Sequence, residues 1–231
     1  MTENDKLPIF DDNGINLADP HDTLGFKTDY ISQVQARALQ RYLGHGTGKA
    51  LDVGCGYGRM CDALSELGYD VTGVEPSERV LNFAAARRPQ HTWCVGSMPD
   101  LPFDDASFDL VCLFNVARPL HLLDIASVCE PLPRLVKPGG RLVIIDNLRQ
   151  QDSRYLPAEW FDQTFAVDGM RLLQKIPIRA SRWPMIYLIR YGLIPVRWFH
   201  AIANWELRRM KGRTRVPRYS YHNYLFIYER T

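Results

Sequence analysis

Cysteine is scarce in this sequence, with five residues in 231, and the number is odd. Four of them, Cys55, Cys61, Cys94 and Cys112, fall singly within predicted strands, helices or a turn and not in paired spacings. Small secreted domains that depend on disulfides show even numbers of cysteines at regular spacings. The pattern therefore disfavours a disulfide framework and indicates a reducing, cytoplasmic compartment.

Long apolar runs are lacking as well. The best candidate, Trp183–Trp205, is interrupted by Arg190, Arg197 and two prolines, whereas a spanning helix needs roughly 20 apolar residues. The first residues, Met1–Lys6, are polar, and no apolar segment typical of a signal peptide follows them. No cluster of metal ligands is visible, so no metal site is predicted, although scattered carboxylates could still supply one. The length fits one α/β domain, or one domain with an insertion, and the 46% of hydrophobic residues is ordinary for a soluble globular protein.

The most informative feature is an apolar strand that leads into a glycine turn, where residues 50–58 read ALDVGCGYG. Glycine lacks a Cβ, so the backbone can adopt positive φ and approach a ligand, and the following helix presents unsatisfied N–H groups. Glu75 follows Gly54 by 21 residues, close to the spacing of roughly 20 at which dinucleotide-binding folds place a ribose-binding acid. Together the turn and the acid predict a nucleoside cofactor.

The glycines are spaced Gly-x-Gly-x-Gly, because Arg59 follows Gly58, and this argues against a nicotinamide or flavin site. Three further blocks follow the turn: GSMPDLPF at 96–103, ASFDLV at 106–111 and LVKPGGRL at 135–142. Together the four blocks resemble the class I S-adenosylmethionine-dependent methyltransferases, specifically the small-molecule type 11 subfamily. The resemblance covers about Lys49–Asn147. It implies an enzyme that uses S-adenosyl-L-methionine as its cofactor.

Apolar runs alternate with amphipathic stretches, which is typical of an α/β fold with helices on both faces of a mostly parallel sheet. Strands are predicted at 50–53, 71–74, 92–95, 110–114, 142–146, 170–178 and 221–228. Helices are predicted at 29–42, 58–67, 77–86 and 125–135, with Ser77 as the N-cap of the third. The resemblance implies a Rossmann-like, doubly wound, seven-stranded sheet whose last strand is antiparallel.

The predicted organisation has four parts. They are an irregular N-terminal segment with a lid helix (1–48), the cofactor-binding core (49–178), a basic and aromatic helical insertion (179–219) and the final strand (220–231). In the insertion, Trp198, Phe199, Ile202 and Trp205 share one face of a predicted helix, and Glu206 lies off that face.

The resemblance also implies a set of cofactor-binding residues. The glycine turn is expected under the methionine part, Asp52 near its amino group, Glu75 on the ribose hydroxyls and Met98 against the adenine. Tyr30 is a remoter candidate that could close over the cofactor, with a structural role as its alternative. The full set is Tyr30, Asp52, Gly54, Cys55, Gly56, Gly58, Glu75, Pro76, Ser97, Met98, Phe114 and Asn115. Ser97 departs from the family, which usually has an acid there. Arg59 is expected on the helix surface.

The resemblance places His121 near the acceptor, where a histidine can take a proton from a hydroxyl or amine at neutral pH. The alternative is a structural histidine, because no orienting acid can be assigned to it. His21, Trp160, Tyr221 and His222 are further candidates to face the substrate, each with a structural alternative.

Charge divides unevenly along the chain, with a net charge of −6 over residues 1–150 and +8 over residues 151–231. The basic part indicates an anionic partner, or only a solvated basic face. Three roles remain open for the insertion, in this order: a pocket wall, a membrane contact or a homodimer contact. The motifs of amino-methylating and cytosine-methylating nucleic-acid enzymes are missing, so nucleic acid is not expected as a partner.

The first functional hypothesis is methyl transfer to a small-molecule acceptor, such as an anionic sugar or a natural-product intermediate. The alternatives are a methyltransferase of a membrane lipid or quinone, and a non-catalytic S-adenosylmethionine-binding partner protein. The acceptor atom cannot be read from the sequence.

Overall fold

The computed structural model describes Asp22 and residues 24–116, 129–148, 157–166, 169–180, 184–213 and 222–231. His121, His21, Tyr221 and the first part of the predicted helix at 125–135 lie outside these residues.

Seven strands form one sheet in the order β3-β2-β1-β4-β5-β7-β6. Their bounds are β1 Lys49–Val53, β2 Asp70–Glu75, β3 Thr92–Val95, β4 Phe108–Phe114, β5 Val136–Leu148, β6 Met170–Ala180 and β7 His222–Arg230. Neighbours from β3 to β5 pair in parallel, whereas β7 pairs antiparallel with both β5 and β6. The predicted fold class is confirmed, and each predicted strand is present.

Both faces of the sheet are buried. Successive side chains of a strand point to opposite faces. Accordingly Val143 and Ile145 belong to one hydrophobic core, and Leu142 and Ile144 belong to the other. The first core also contains the apolar side of the N-terminal helix, and the second contains Phe161 and Phe165. Helical layers therefore cover the sheet on both sides, as parallel sheets require.

The helices are α1 Phe26–Tyr42, α2 Cys61–Glu66, α3 Glu78–Arg87, α4 Pro131–Leu135, α5 Ala158–Phe165, α6 Met185–Arg190 and α7 Phe199–Met210, with a 3₁₀ turn at Val196–Trp198. Ser77 caps α3 as predicted, because its Oγ accepts a hydrogen bond from the backbone N–H of Val80 at 3.4 Å. At α1 the carboxylate of Asp22 accepts hydrogen bonds from the backbone N–H and the hydroxyl of Thr28, at 2.7 and 2.8 Å.

The insertion between β6 and β7 contains α6, the 3₁₀ turn and α7. Its apolar face differs from the predicted one, because α7 buries Phe199, Ala203, Glu206, Leu207 and Met210. Trp198 and Trp205 are instead 55% and 52% exposed. The prediction of the face was therefore wrong for the two tryptophans and for Glu206. The reason lies in α1, where Phe26 and Tyr30 pack edge-on against Phe199 and set the rotation of α7.

Among the described residues, no helix is long and apolar enough to cross a bilayer. The same part of the chain contains no group of three or more His, Cys, Asp or Glu side chains arranged to hold a metal ion.

Candidate functional site

The glycine turn lies at the carboxyl end of β1. Gly54, Gly56 and Gly58 all adopt positive φ, at 69°, 56° and 76°. A Cβ at Gly58 would lie 2.4 Å from the ring of Trp93, and one at Gly54 would lie 2.8 Å from Val116. The positive φ and the lack of space for a Cβ therefore both favour glycine at positions 54 and 58. The turn thus presents main chain without side chains at the carboxyl edge of the sheet.

Glu75 ends β2 beside this turn and is 4% exposed. One carboxylate oxygen accepts from the Gly56 N–H at 3.1 Å and the other from the Ser77 N–H at 3.3 Å. Burial raises the pKa of Glu75, and the two backbone donors oppose that rise. Each oxygen keeps a lone pair for a further donor, such as a hydroxyl group of a sugar.

Asp52 lies in β1, two residues before the turn, and is 2% exposed. Its Oδ2 accepts a weak hydrogen bond from the Cys61 thiol at 3.6 Å, whereas Oδ1 is buried with no partner among the described residues. Burial raises the pKa of Asp52 to about 7, although the positive charge of Arg59 opposes the rise. A buried carboxyl oxygen without a partner is rare in native proteins and indicates a ligand that donates to it.

Arg59 is half-buried, contrary to the prediction that it lies on the helix surface. Its guanidinium donates to the Ser32 hydroxyl at 2.9 Å and so connects the glycine turn to α1. The attraction between Arg59 and Asp52 is the main influence that favours the ionised form of that carboxyl.

The other predicted cofactor residues lie along the same edge. Pro76 and Ser97 are exposed, after the ends of β2 and β3, and Cys55 is buried within the turn. Met98 is half-buried and packs against the second hydrophobic core. Phe114 is buried, and Asn115 beside it adopts φ 58° at the end of β4, where its backbone N–H donates to the Ile145 carbonyl at 2.7 Å.

Tyr30 does not form part of this edge. It is fully buried, and its hydroxyl donates to Glu206 Oε2 at 2.6 Å. Of the two roles considered for Tyr30, closing over the cofactor or a structural role, these contacts favour the structural one. The ring packs on Phe199 and the hydroxyl is already engaged, so both hold α1 against α7.

Asn115 belongs to a group of carboxamide side chains that the sequence did not predict as a unit. This amide cluster consists of Gln35, Asn115, Asn147 and Asn223. The Asn223 Nδ2 donates to Asn147 Oδ1 at 3.1 Å and to Asn115 Oδ1 at 3.3 Å, and its Oδ1 accepts from Gln35 Nε2 at 3.1 Å. Gln35 Oε1 is buried without a partner in the described part of the chain. Four elements, α1, β4, β5 and β7, thus bring polar groups to one point.

His222 begins β7, where it pairs with Leu148 on β5 and Ala180 on β6. Because successive side chains of a strand point to opposite faces, its ring lies on the face of Tyr224, with 6.3 Å between the ring centroids, and on the face opposite to the Asn223 amide. It is 4% exposed, and its Nδ1 has no hydrogen-bond partner among the described residues. Burial, together with the charges of Arg213 and Arg179, lowers the pKa of His222 below its usual range. The ring is therefore neutral at pH 7 and able to accept a proton. Of the histidines considered from the sequence, it is the one that the structure describes.

A separate cleft of about 590 Å³ opens between α1, α2 and the start of α7. Its walls include Arg37, Asp62, Arg197 and His200, and none of the three turn glycines or Glu75 lines it. This cleft is therefore distinct from the edge that carries the predicted cofactor residues.

The carboxyl ends of β1 and β2 form a site that fits a nucleoside carrying a cationic amino acid. Glu75 offers carboxylate oxygens to vicinal hydroxyls, bare main chain lies under the space next to it, and the unpartnered Asp52 Oδ1 suits an ammonium group. S-adenosylmethionine has each of these groups.

Comparisons with known proteins agree with this fit. A family model described as a methyltransferase domain matches residues 51–144. An uncharacterized methyltransferase of Mycobacterium tuberculosis is 35% identical over 103 residues, which are 45% of this chain and 41% of that protein. The chain thus spans less than half the length of that relative.

A longer match covers most of both chains. The ubiquinone biosynthesis O-methyltransferase of Alkalilimnicola ehrlichii is 31% identical over 205 residues, which are 85% of this chain and 73% of that protein. Among solved structures, geranyl diphosphate C-methyltransferase from Streptomyces coelicolor has the same fold, with a TM-score of 0.61 and 18% identity over 85% of this chain and 77% of that one. The chain belongs to the class I S-adenosylmethionine-dependent methyltransferases, in the type 11 family.

Proposed function

We propose that this protein transfers the methyl group of S-adenosylmethionine to a hydroxyl of a small, lipid-soluble acceptor. The observation that carries the proposal is the buried Gln35 Oε1, which has no hydrogen-bond partner among the described residues and belongs to the amide cluster. An amide oxygen accepts hydrogen bonds, so a ligand hydroxyl that donates one would satisfy it.

The bound cofactor supplies an activated methyl group, and the protein has to align the acceptor with it and exclude water. Glu75 would hold the ribose hydroxyls, Asp52 the ammonium group, and the glycine turn the amino-acid tail. Asn115 lies between the edge that carries the predicted cofactor residues and the rest of the amide cluster. It follows the buried Phe114 at the end of β4, and its Oδ1 accepts a hydrogen bond from Asn223. The amide cluster therefore lies where an acceptor next to the methionine end would meet polar groups.

His222 is the proton acceptor in this proposal. A hydroxyl that gains a methyl group must lose its proton, and a neutral imidazole within hydrogen-bond reach can take it. The lowered pKa keeps His222 neutral at pH 7, and the acceptor would reach across the end of the sheet, from the amides of Asn147 and Asn223 on one face to the His222 ring on the other. His121, placed near the acceptor by family resemblance, stays a prediction.

The names of the relatives favour a lipid-soluble acceptor. The longest match described above is named for ubiquinone biosynthesis and O-methylation, and further relatives are named as a 2-methyl-6-phytyl-1,4-hydroquinone methyltransferase and a demethylmenaquinone methyltransferase. These names favour a quinone-type or isoprenoid acceptor over the anionic sugar that headed the hypotheses from the sequence.

The test measures transfer of labelled methyl from S-adenosylmethionine to three probes: a prenylated catechol, a prenylated hydroquinone and a uronic acid. We expect label in the prenylated probes, and product analysis should find it as a methyl ether. Transfer to the uronic acid alone would contradict a lipid-soluble acceptor, and a carbon-methylated product would contradict a hydroxyl as the acceptor group. Binding of the cofactor without transfer to any probe would favour a non-catalytic binding protein.

A further inference from the structure

The insertion carries most of the exposed apolar surface that the structure describes. Ten large hydrophobic side chains are exposed among the described residues, and seven of them lie between Tyr187 and Trp205. Tyr191 and Leu193 are each 67% exposed, and Trp198 and Trp205 are 55% and 52% exposed. Scattered single hydrophobic residues are normal on a protein surface, but a concentration in 19 residues indicates an interaction surface. We name residues 187–205 the insertion patch.

A groove continues this patch between its two helices. It has a volume of about 300 Å³ and is lined by Met185 on α6 and by Ala201, Ile202 and Trp205 on α7. Trp198, Ile202 and Trp205 follow one another at helical spacing, so they share the outer face of α7. The buried face of α7 is held by Glu206, which accepts from Tyr30 and from the backbone N–H of Ala180. The patch is therefore presented by a helix that is fixed to the core.

The exposed charged side chains around the insertion patch are basic. Residues 184–213 contain six Lys and Arg and a single acid, Glu206, which is buried. Arg197, Arg208, Lys211 and Arg213 are exposed, and Arg209 lies over the ring of Trp205 at 5.4 Å. Aromatic and aliphatic side chains with a basic surround are the pattern of a helix that lies in the interface of an anionic membrane.

We propose that the insertion patch docks this protein on an anionic lipid membrane. A second copy of the chain would be a poor occupant, because a two-fold contact would place the same basic groups of both copies against each other. The docking proposal rests on the proposed function, since a membrane is the phase from which a lipid-soluble acceptor is collected. Docking needs neither cofactor nor acceptor, so it can be tested apart from catalysis.

The experiment is sedimentation of the protein with vesicles of phosphatidylcholine, alone or mixed with phosphatidylglycerol, at low and high salt. We expect binding to the mixed vesicles, weakened by salt, and a blue shift of tryptophan emission on binding. The double variant Trp198→Ser/Trp205→Ser should lose roughly tenfold or more in partitioning, because two interfacial indoles are removed. The double variant Arg208→Gln/Lys211→Gln should lose roughly fivefold for each charge removed.

Two control variants match these changes away from the insertion. Leu173→Ser replaces an exposed hydrophobic residue on β6, and Arg87→Gln replaces an exposed arginine on α3, which packs at the other end of the sheet. Both should bind vesicles as the unchanged protein does. Thermal melts should show that all variants fold, as expected for exposed positions.

Equal, weak binding to both kinds of vesicle would overturn the proposal. So would a stable dimer in light scattering that the Trp198→Ser/Trp205→Ser variant converts to a monomer, since a second copy would then cover the patch. Vesicle binding without methyl transfer would contradict the proposed function alone. Transfer to a prenylated probe by a protein that does not bind vesicles would contradict docking alone.

Discussion

The hydroxyl of Tyr30 lies 2.6 Å from Oε2 of Glu206, and the two residues are 176 positions apart in the chain. Both are buried, and the other carboxylate oxygen of Glu206 accepts from the Ala180 N–H at 3.3 Å. Burial raises the pKa of Glu206, whereas the charge of Arg179 and these hydrogen bonds lower it. A single carboxylate thus joins α1, the end of β6 and α7, and it fixes the insertion beside the edge of the sheet that carries the site.

Tyr30→Phe should destabilise the protein by about 2 kcal/mol, because a buried carboxylate oxygen loses its donor while the packing of the ring on Phe199 is kept. Urea unfolding measures the change. Tyr42→Phe is the matched control, since Tyr42 is half-buried in the same helix and its hydroxyl has no hydrogen bond among the described residues. Equal stability of Tyr30→Phe and the unchanged protein would show that the bond contributes nothing to folding.

The fold was predictable because its signals are local. Each strand of the core is an apolar run bounded by turn residues, and Ser77 has the side chain and the position of an N-cap, so neighbouring residues suffice to place these elements. The rotation of α7 was not predictable in this way. Helical spacing alone allows a stripe through Trp198 and Trp205, and only the distant partner Tyr30 explains why Glu206 is buried instead.

The cofactor side of the site was more accessible to sequence reasoning than the acceptor side. Glu75 and the glycine turn lie within one βαβ unit, so their spacing carries information. The amide cluster has no such spacing, because Gln35, Asn115, Asn147 and Asn223 come from four elements and meet only when the sheet is complete. The signal that was available is that Asn115 directly follows the buried Phe114 at the end of β4, and that Asn147 is the last residue but one of β5.

Glu75→Gln should weaken binding of S-adenosylmethionine and of its demethylated product by roughly tenfold to a hundredfold, since charge-assisted hydrogen bonds to the ribose are lost. The amide also turns an NH₂ group toward one of the two backbone donors, Gly56 or Ser77, so the melting temperature should fall. Calorimetric titration and a thermal melt measure the two effects. Glu78→Gln, three residues away and exposed, is the control and should match the unchanged protein in both. Unchanged affinity in Glu75→Gln would remove Glu75 from the cofactor site.

Asp52→Asn should stabilise the protein without cofactor, and more so at pH 8 than at pH 5. The pKa of Asp52 is raised from 3.8 to about 7 in the folded protein, so the folded state favours the protonated form. The stability that this carboxyl contributes is full below pH 3.8 and is lost as pH rises to about 7, by about 1.4 kcal/mol for each pKa unit. Asparagine does not ionise and avoids the loss.

The same variant should bind S-adenosylmethionine more weakly at pH 8, because the ammonium group loses an ionised partner. Thermal melts at the two pH values and calorimetric titration provide the measurements. A gain in melting temperature that does not depend on pH would show that Asp52 does not titrate in this range.

His222→Gln should lower kcat for a hydroxyl acceptor by roughly a hundredfold to a thousandfold, since the proposed proton acceptor is lost. The unchanged protein should show a rate that rises with pH through the pKa of His222, which burial lowers below its usual range, and that then levels off. In the variant that rise should disappear, while the affinity for S-adenosylmethionine stays within about twofold, because the proposed site places His222 against the acceptor and not the cofactor. His45→Gln, an exposed histidine, should leave the profile unchanged. A purely structural role for His222 would instead lower the melting temperature and keep the pH dependence of the remaining activity, so the shape of the profile decides between the two roles.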